Sequence, residues 1–512
     1  MNIKVAKEQI KEAVSIYLMK DEDGEYRIPI EKQRPVFLLG APGVGKTAIM
    51  EQIAQELNIG LVSYSMTHHT RQSALGLPTI VHKEYQGESF DVSIYTMSEI
   101  IAAVYEKMEH SGLKEGILFL DEINCVSETL GPSMLQFLQY KTFGNHKVPE
   151  GWVIVTAGNP PEYNRSVREF DVVTLDRLKV MEVEPDYEVW KFYAEQKGLH
   201  KAVLSYLEIR REDFYSIETT VDGKNYVTAR GWEDLSEALT LYEEKGYHVD
   251  ESLISQYIRN RHIVSEFAVY YELYRKYRED YGIYAILNGD ADSHIEKRAQ
   301  KAGFDEKVSI VGLLLEALQP QITENVLEEA SLKELLPHLR ELKGLLPQCD
   351  PEAFLLKMQE KWSSEQKKKD EAGNSTKDGR RLYRRKVRFI NEALTEIRLS
   401  HTKTADETFA VIKRNFDQKV MVMKDESADI SRQLDNLFAF AEKAFGDGNE
   451  MLILVSGLTF HTHSAKFISN HGCEAYYRHN KKFLLHERNR ELYQEVCEVI
   501  GEVNPEERDA SL

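Results

Sequence analysis

Short apolar runs alternate with segments of helical periodicity between residues 35 and 183. The runs are apolar at consecutive positions rather than at alternate ones, which is typical of strands buried on both faces of a parallel sheet. The predicted strands cover residues 35–39, 60–64, 116–120, 152–157 and 180–183. The predicted helices cover residues 1–18, 47–57, 97–110 and 133–139, and a β-hairpin is predicted for residues 79–94 with its turn at 86–88. Strands that alternate with helices predict a doubly wound α/β domain.

The rest of the chain is predicted to be mainly helical, apart from a small hairpin around Asp222-Gly223. The candidate helices cover residues 187–196, 230–244, 251–258, 264–277, 308–318, 332–342 and 351–362, and helical periodicity returns between 382 and 500. Residues 363–379 have no apolar periodicity, so they form the predicted linker. We therefore expect an α/β domain, then a helical region, then a helical C-terminal domain.

Composition narrows the class of protein. The chain has 512 residues, of which 42% are hydrophobic and 29% are charged, an ordinary globular mixture. The formal net charge of −19 at pH 7 argues against affinity of the whole surface for nucleic acid or anionic membranes, although a local basic patch remains compatible. The four widely spaced cysteines favour a reducing compartment, and no apolar stretch reaches the roughly 20 residues that span a bilayer. We expect a cytoplasmic protein with no membrane span and no nucleic-acid partner.

The strongest chemical signal follows the first predicted strand. The sequence there fits the pattern G-x-x-x-x-G-K-[ST] between a strand and a helix, which is the P-loop. Its glycines let the backbone curl so that successive N–H groups point at phosphate oxygens, and the amino end of the helix adds partial positive charge. The lysine of this pattern reaches the β- and γ-phosphates, and the hydroxyl that follows it ligates Mg²⁺. The predicted nucleotide-binding residues are Gly40, Ala41, Pro42, Gly43, Val44, Gly45, Lys46 and Thr47.

Further polar residues come directly after two other predicted strands. Asp121 and Glu122 follow the run 117–120, and Asn159 follows the strand 152–157. Ligands of such folds bind at the carboxyl ends of the strands, so Asp121 is predicted to hold magnesium and Glu122 to polarise the attacking water. Asn159 is predicted to hold the water or the γ-phosphate, and a turn-forming asparagine is the open alternative. Taken alone, an acidic pair after an apolar run indicates a strand that reaches the surface. Because this chain also has a P-loop, the catalytic interpretation is favoured.

With Leu175-Asp176-Arg177-Leu178 added, these motifs resemble those of the AAA+ ATPases, and more narrowly those of the MoxR family. The resemblance covers about residues 1–260. It implies a ring, commonly a hexamer, with ATP and Mg²⁺ at subunit interfaces and an arginine from the neighbouring subunit completing each site. Arg177 matches the position of that arginine, and the chain has Leu178 where the family usually has phenylalanine. Arg165 and Arg168 lie in the same segment and are alternatives for the role in trans.

The resemblance extends to a possible sensor 2 element at Thr228-Ala229-Arg230. Thr228 is predicted to be the N-cap of a helix, and Arg230 would contact the γ-phosphate and couple its loss to motion of a helical lid. An ordinary arginine in the first turn of a helix is the alternative. The predicted catalytic residues are therefore Glu122, Asn159, Arg177 in trans and Arg230, and Thr47 and Asp121 are the predicted Mg²⁺ ligands.

The resemblance also implies a domain organisation and a function. An AAA+ core at 1–184 precedes a helical lid at 185–275, a helical extension at 276–362, a linker at 363–380 and a helical C-terminal domain at 381–512. The leading hypothesis is an Mg²⁺-dependent ATPase that acts as a chaperone-like remodeller or maturation factor of a protein partner. Family members often act with a protein that bears a von Willebrand factor A domain, so such a partner is implied. A nucleic-acid-stimulated motor and a nucleotide-gated scaffold with little hydrolysis are the alternatives.

Three other features leave two interpretations open. The hairpin at 79–94 lies where MoxR-like proteins carry an insertion, and a plain surface hairpin is the alternative. The segment Lys377 to Arg388 holds seven basic residues and one acid, which fits either a phosphate-contacting patch or a solvated start of a helix. A third group has metal-ligating side chains without a standard zinc-finger spacing, so zinc ligands and ordinary surface residues both remain open. Its members are His461, His463, His471, Cys473, His479 and His486.

Overall fold

The computed structural model divides the chain into two compact units. It describes residues 1–68, 74, 76–127, 129–163, 167–220, 223–346, 348–373, 375–400, 402 and 404–481. The first unit is built from Met1–Trp190, Val227–Gly231 and Glu352–Ile390. The second unit is built from Lys191–Tyr226, Trp232–Pro351 and the described residues from Asn391 on.

A five-stranded parallel sheet lies at the centre of the first unit. The strands of this unit are β1 (Val36–Gly40), β2 (Gly60–Ser65), β3 (Pro78–Tyr85), β4 (Glu88–Tyr95), β5 (Gly116–Asp121), β6 (Thr142–Phe143), β7 (His146–Lys147), β8 (Trp152–Gly158) and β9 (Lys179–Val183). The order in the sheet is β2-β5-β8-β1-β9, and a hairpin of β3 and β4 and a two-residue pair of β6 and β7 stand apart from it. The five predicted strands of the sheet and the predicted hairpin are thereby confirmed.

Helices cover the sheet and close one hydrophobic core with it. Phe37, Leu118 and Ile154 of the sheet pack in one cluster with Ile101 and Phe137 of two helices. Every residue of β8 is buried, as its continuous apolar run predicts. The helices that lie wholly within the first unit are Ile3–Tyr17, Lys46–Leu57, Glu99–Ser111, Gly131–Tyr140 and Val172–Leu175.

The register of the sheet brings the ends of four strands together. Ser65 of β2 lies beside Asp121 of β5, and Leu39 of β1 lies beside Gly158 of β8. Because all these strands run parallel, the segments that leave their carboxyl ends share one edge of the sheet. That edge receives the P-loop and the polar residues that the sequence analysis selected.

The second unit is helical apart from the small hairpin, which forms between β10 (Ser216–Thr220) and β11 (Gly223–Val227). Its longest helices, Phe304–Leu345 and Ala405–Phe445, pack against each other. The others wholly within this unit are Lys201–Ile209, Glu251–Tyr257, Arg261–Asp280, Ile283–Asn288, Ser293–Lys301, Asn449–Phe460 and Thr462–His471. Four helices, Tyr187–Lys197, Ala229–Lys245, Pro351–Ala372 and Lys377–Ser400, have residues in both units. A parallel α/β sheet followed by a mainly helical region is the fold class that the sequence predicts.

Several predicted helix boundaries were wrong. The two helices predicted at 308–318 and 332–342 are one continuous helix of 42 residues that contains Pro320 and Pro337. The helix predicted to end at 362 continues to Ala372, so the first part of the predicted linker is helical. Among the described residues, no helix combines the length and the apolar character that a membrane crossing needs.

Candidate functional site

The P-loop has the backbone that phosphate binding requires. Gly43 and Gly45 have φ angles of 77° and 94°, in the left-handed region that favours glycine. Gly40 lies so close to β9 that an added Cβ would stand 2.6 Å from the carbonyl oxygen of Val183. The helix Lys46–Leu57 begins directly after this turn, so its free N–H groups and its partial positive charge face the loop.

Lys46 joins the P-loop to the neighbouring strand β8. Its buried Nζ donates hydrogen bonds to the carbonyl oxygens of Gly40 and Ala41 at 2.8 and 2.9 Å, and to Oδ1 of Asn159 at 2.9 Å. Burial lowers the pKa of Lys46 to about 8, and the positive charge of Arg230 contributes to this shift. The negative charge of Asp121 acts in the opposite direction, as does that of the glutamate beside it. Lys46 is therefore held in place by acceptors that a phosphate group is able to replace.

Thr47 and Asp121 form the predicted metal-binding pair. The hydroxyl of Thr47 donates a hydrogen bond to Oδ2 of Asp121 at 2.9 Å. The other carboxylate oxygen, Oδ1, accepts a hydrogen bond from the backbone N–H of Glu122 at 2.9 Å, which fixes the orientation of the carboxylate. Hydroxyl and carboxylate oxygens are the ligands that Mg²⁺ takes from proteins beside phosphates, so these two residues fit the ion.

Glu122 is held by two hydroxyl groups that the sequence analysis missed. Its backbone is left-handed, with a φ angle of 55°. Its Oε2 accepts a hydrogen bond from Oγ of Ser65 at 3.1 Å and another from the hydroxyl of Thr67. Ser65 ends β2 in register with Asp121, so a polar residue at the end of the preceding strand was the signal that would have found it.

Asn124 is a second residue that the sequence analysis missed. This buried side chain donates a hydrogen bond from Nδ2 to the carbonyl oxygen of Asn159 at 2.8 Å. A side chain on Gly158 would collide with it, because an added Cβ would lie 2.4 Å from Oδ1 of Asn124. Asn124 therefore fixes the backbone of Asn159, whose own side chain reaches Lys46. A polar residue between Ile123 and Cys125 in a mainly apolar segment was its only sequence signal.

This site lies within a recognisable family domain. Residues 36–174 match the model of the family described as ATPase family associated with various cellular activities (AAA). These residues resemble an AAA domain and are called the AAA domain here. The match supports an AAA+ ATPase, because the matched range includes the P-loop, Asp121, Glu122 and Asn159. An AAA domain implies nucleotide binding, and ATPase activity is general in the family. No curated protein matches the chain.

Thr228 and Arg230 belong to the same compact unit as the AAA domain, although they follow it by more than fifty residues. A Cβ added to Gly43 would lie 3.0 Å from Cβ of Thr228 and 3.5 Å from Cβ of Arg230, so both residues lie against the P-loop. The hydroxyl of Thr228 accepts a hydrogen bond from the backbone N–H of Gly231 at 3.1 Å, which confirms the predicted N-cap. Arg230 is thus brought to the nucleotide-binding edge of the AAA domain.

Arg177 lies away from the site of its own chain. It is exposed and directly precedes the buried Leu178, and β9 begins at Lys179. Lys179 pairs with Val36 at the amino end of β1, whereas the P-loop leaves the carboxyl end of β1. Arg177 therefore stands at the opposite edge of the sheet of the AAA domain, and a role beside ATP requires a second copy of the chain.

The two alternatives to Arg177 are placed differently. Arg168 is exposed, and its backbone N–H donates a hydrogen bond to the carbonyl oxygen of Asn124 at 2.9 Å. Arg165 lies outside the described residues. Of the three arginines considered for the role in trans, the structure therefore describes two, Arg177 and Arg168.

The histidine-rich segment does not form a single cluster in the part of the chain that the structure describes. Nε2 of His471 lies 3.7 Å from a carboxylate oxygen of Glu329, whereas Nε2 of His479 lies 2.8 Å from one of Glu442. The last member of the group, His486, lies outside the described residues. His471 and His479 therefore interact with separate carboxylates.

One group of metal-ligating type does occur among the described residues, in the second unit. Ligand atoms of His200, Glu243 and Glu316 lie within 4.8 Å of one another. The guanidinium of Arg278 is hydrogen-bonded to Glu316 and lies 3.6 Å from Glu243. Burial alone would raise the pKa of Glu243, but His200, whose Nε2 lies 3.2 Å from a carboxylate oxygen, the hydrogen bond from Tyr271 and the charge of Arg278 lower it to about 2. A cation of the protein itself therefore already balances these carboxylates.

Proposed function

We propose that the chain is an Mg²⁺-dependent AAA+ ATPase of the MoxR type that uses ATP hydrolysis to remodel or mature a protein partner. The observation that carries the enzymatic part is the position of Lys46, which is hydrogen-bonded at once to the P-loop and to Asn159. Asp121 and Glu122 lie at the same sheet edge. These groups form the constellation that phosphoryl transfer to water requires.

Each side chain has a distinct task in this proposal. The ammonium group of Lys46 exchanges its present acceptors for oxygens of the β- and γ-phosphates, while the N–H groups of the P-loop surround them. Thr47 and Asp121 hold Mg²⁺, which supplies charge neutralisation between the phosphates when it is bound. Glu122 orients the attacking water and accepts its proton, and Asn159 positions the water or the γ-phosphate.

Two arginines complete the proposed cycle. Arg230 lies against the P-loop, so it is placed to sense the γ-phosphate and to couple its loss to a change in the helix Ala229–Lys245. Arg177 is exposed at the far edge of the sheet, which supports a role in the site of a neighbouring subunit. A ring, commonly hexameric in similar proteins, and a partner with a von Willebrand factor A domain follow from the resemblance alone.

The test compares ATP turnover and nucleotide binding in three variants of the full-length protein. Lys46→Ala is expected to lose both, because the phosphates lose their main cation. Glu122→Gln is expected to bind ATP normally but to turn over about 10²-fold more slowly or worse, since it cannot accept the proton of the water. Glu150→Gln, a change at an exposed carboxylate, is the matched control and is expected to behave like the wild type.

The alternatives predict different results in the same assay. Negligible turnover in both the wild type and Glu122→Gln would favour a nucleotide-gated scaffold. Strong stimulation of turnover by nucleic acid, lost at physiological salt, would favour a nucleic-acid motor. If the chain is a remodeller, the Glu122→Gln variant that is affinity-purified in the presence of ATP is expected to retain its protein partner.

A further inference from the structure

The helix Lys377–Ser400 has two faces of opposite character. One face is apolar and packed into the protein, with Phe389, Ile390, Ala393 and Ile397 buried. The other face carries cations at successive spacings of three and four residues, which places them side by side on the helix surface. The members of this basic face are Lys377, Arg380, Arg381, Arg384, Arg385 and Arg388.

Most of the basic face is open to solvent. Lys377, Arg380, Arg384 and Arg388 are exposed, whereas Arg381 and Arg385 are half-buried. The one acid between Lys377 and Arg388 is Asp378, in the first turn of the helix. Within the described residues, four of these cations form no ion pair, and Arg380 lies 3.8 Å from a carboxylate oxygen of Asp370. The four are Lys377, Arg381, Arg384 and Arg388.

This arrangement is electrostatically unfavourable in the isolated protein. Arg380 and Arg384 are like charges four residues apart, as are Arg384 and Arg388, and such pairs destabilise a helix. Lys377 and Arg380 also lie in the first turn, where the helix dipole disfavours positive charge. A chain of anions along the face would relieve both effects, so the pattern is explained best by a polyanionic ligand.

The composition of the basic face distinguishes between two kinds of polyanion, an acidic protein and a nucleic acid. Protein interfaces have an apolar or aromatic centre. The apolar and aromatic residues of this stretch, Leu382, Tyr383 and Val387, are partly buried, and at 100° per residue they lie outside the arc of the helix that the six cations occupy. Five of the six cations are arginines, whose planar guanidinium groups bind phosphates through paired hydrogen bonds. The cations extend over about 16 Å of helix axis, so they meet a line of regularly spaced charges rather than one small anion. We propose that the basic face binds the phosphate backbone of a nucleic acid.

The helix is anchored firmly enough to present such a face. Nζ of Lys386, on another side of the helix, lies 4.5 Å from the ring centre of Trp362, a buried residue of the helix Pro351–Ala372. At the start of the helix, the guanidinium of Arg380 donates hydrogen bonds to the hydroxyl and the carbonyl oxygen of Ser375. The helix that carries the basic face is thus anchored at both of these points, so binding does not require a flexible segment to fold first.

The net charge of −19 limits where a nucleic acid is able to bind. The strongly acidic remainder of the chain repels phosphates, so contact is confined to the basic face and weakens steeply as salt rises. Because the contacts are to the backbone, binding is independent of base sequence. This inference concerns binding alone and does not depend on ATP hydrolysis.

The experiment measures fluorescence anisotropy of labelled 20-nucleotide probes with the full-length protein in the absence of nucleotide. The probes are single-stranded RNA, single-stranded DNA and duplex DNA of mixed sequence, each titrated at several NaCl concentrations. The test variant is Arg381→Gln/Arg384→Gln/Arg388→Gln. The matched control is Lys413→Gln/Arg414→Gln/Lys424→Gln, which removes three exposed cations from the helix Ala405–Phe445.

The wild type is expected to bind at 50 mM NaCl, and the test variant to bind at least tenfold more weakly. Its slope of log affinity against log salt should fall by about 2 to 3, since each lost phosphate contact removes 0.7 to 0.9. The control variant is expected to bind within twofold of the wild type. Absence of binding by the wild type at 50 mM NaCl, or equal weakening in both variants, would overturn the proposal.

Two further measurements separate the proposal from its rivals. If polyglutamate displaces the probes as well as unlabelled nucleic acid does, the face recognises an acidic protein and the proposal fails. Arg381→Lys/Arg384→Lys/Arg388→Lys keeps the charges and is expected to retain most of the binding. Circular dichroism should show intact helices in all variants, because removing like-charge repulsion does not destabilise this helix.

Discussion

The carboxylate of Glu122 is engaged by the hydroxyls of Ser65 and Thr67, and one oxygen, Oε2, accepts both hydrogen bonds. In the proposed mechanism the side chain of Glu122 turns from these hydroxyls toward the attacking water, so the two hydrogen bonds hold it in an inactive orientation. We therefore expect Ser65→Ala/Thr67→Ala to raise basal ATP turnover severalfold while the KM for ATP changes little. The measurement is steady-state ATPase kinetics of the purified protein.

The matched control for that variant is Ser63→Ala, which removes an exposed hydroxyl from the same strand without touching Glu122. A fall in turnover after removal of both hydroxyls would show instead that they hold Glu122 in its reactive position. Combining the change with Glu122→Gln should abolish any increase, because the hydroxyls act through that carboxylate.

The lowered pKa of Lys46 predicts a pH dependence of nucleotide affinity. Phosphate binds the protonated amine, and burial leaves the pKa of that amine at about 8. The Kd for ATP should therefore be constant below this pH and rise above it, by up to about tenfold per pH unit. A titration with a fluorescent ATP analogue between pH 6.5 and 9.5 measures this.

Lys46→Arg provides the control, because a guanidinium stays charged across the whole pH range. Its affinity, whatever its absolute value, should be flat where that of the wild type declines. An identical decline in both proteins would assign the pH dependence to another group.

The residues of the site fall into two groups, those that a local sequence pattern predicts and those that only the pairing of strands brings together. The P-loop, Asp121, Glu122 and Asn159 each stand directly after an apolar strand, so a local pattern was enough to select them. Ser65, Thr67 and Asn124 act through contacts that depend on which strands lie side by side and in what register. A single sequence does not reveal that pairing, so these three residues required the structure.

At the level of the element, short strands were easier to predict than the long helix Phe304–Leu345. Pro320 and Pro337 each remove a backbone hydrogen bond and normally end or kink a helix, which favoured two helices in the sequence. The middle of the helix also buries polar residues, which hid its periodicity. Asn325, for example, donates a hydrogen bond to the carbonyl oxygen of Met423 and accepts one from Ser427. Packing on several sides therefore stabilises a helix that local propensity would interrupt.

The basic face gives a second example at this scale. From the sequence, both a phosphate-contacting patch and a solvated start of a helix were open interpretations of Lys377 to Arg388, and the solvated start was favoured. The structure places the preceding helix, Pro351–Ala372, through most of the predicted linker, so the basic face belongs to a packed pair of helices. Beside a flexible linker, these residues would have to become ordered before they bind phosphates. On a helix that packs against another helix, the same residues need no such ordering.

At the level of the whole molecule, the position of Arg177 predicts that active sites form only between subunits. Arg177→Ala and Glu122→Gln should each be nearly inactive alone, with a loss of about 10³-fold or more for the arginine. Mixed in equal amounts before assembly, the two variants should regain up to about a quarter of the wild-type activity, because some interfaces then combine both intact residues. ATPase assays of mixed and unmixed samples measure this.

Failure to regain activity on mixing would remove Arg177 from the role in trans. The same experiment with Arg168→Ala in place of Arg177→Ala then tests the other described arginine. Mixing two samples of Glu122→Gln controls for recovery caused by the procedure alone.

The first unit collects its residues from three separated stretches of the chain, and this affects how the protein is made. Its sheet is complete in sequence by Trp190, yet its last helices come from Glu352–Ile390. At translation rates of about 5–20 residues per second, roughly 10 to 40 s pass between the emergence of these two parts. During that interval the surface that later receives the last helices is uncovered in the nascent chain. An expression fragment cut after the sheet would keep that surface exposed permanently.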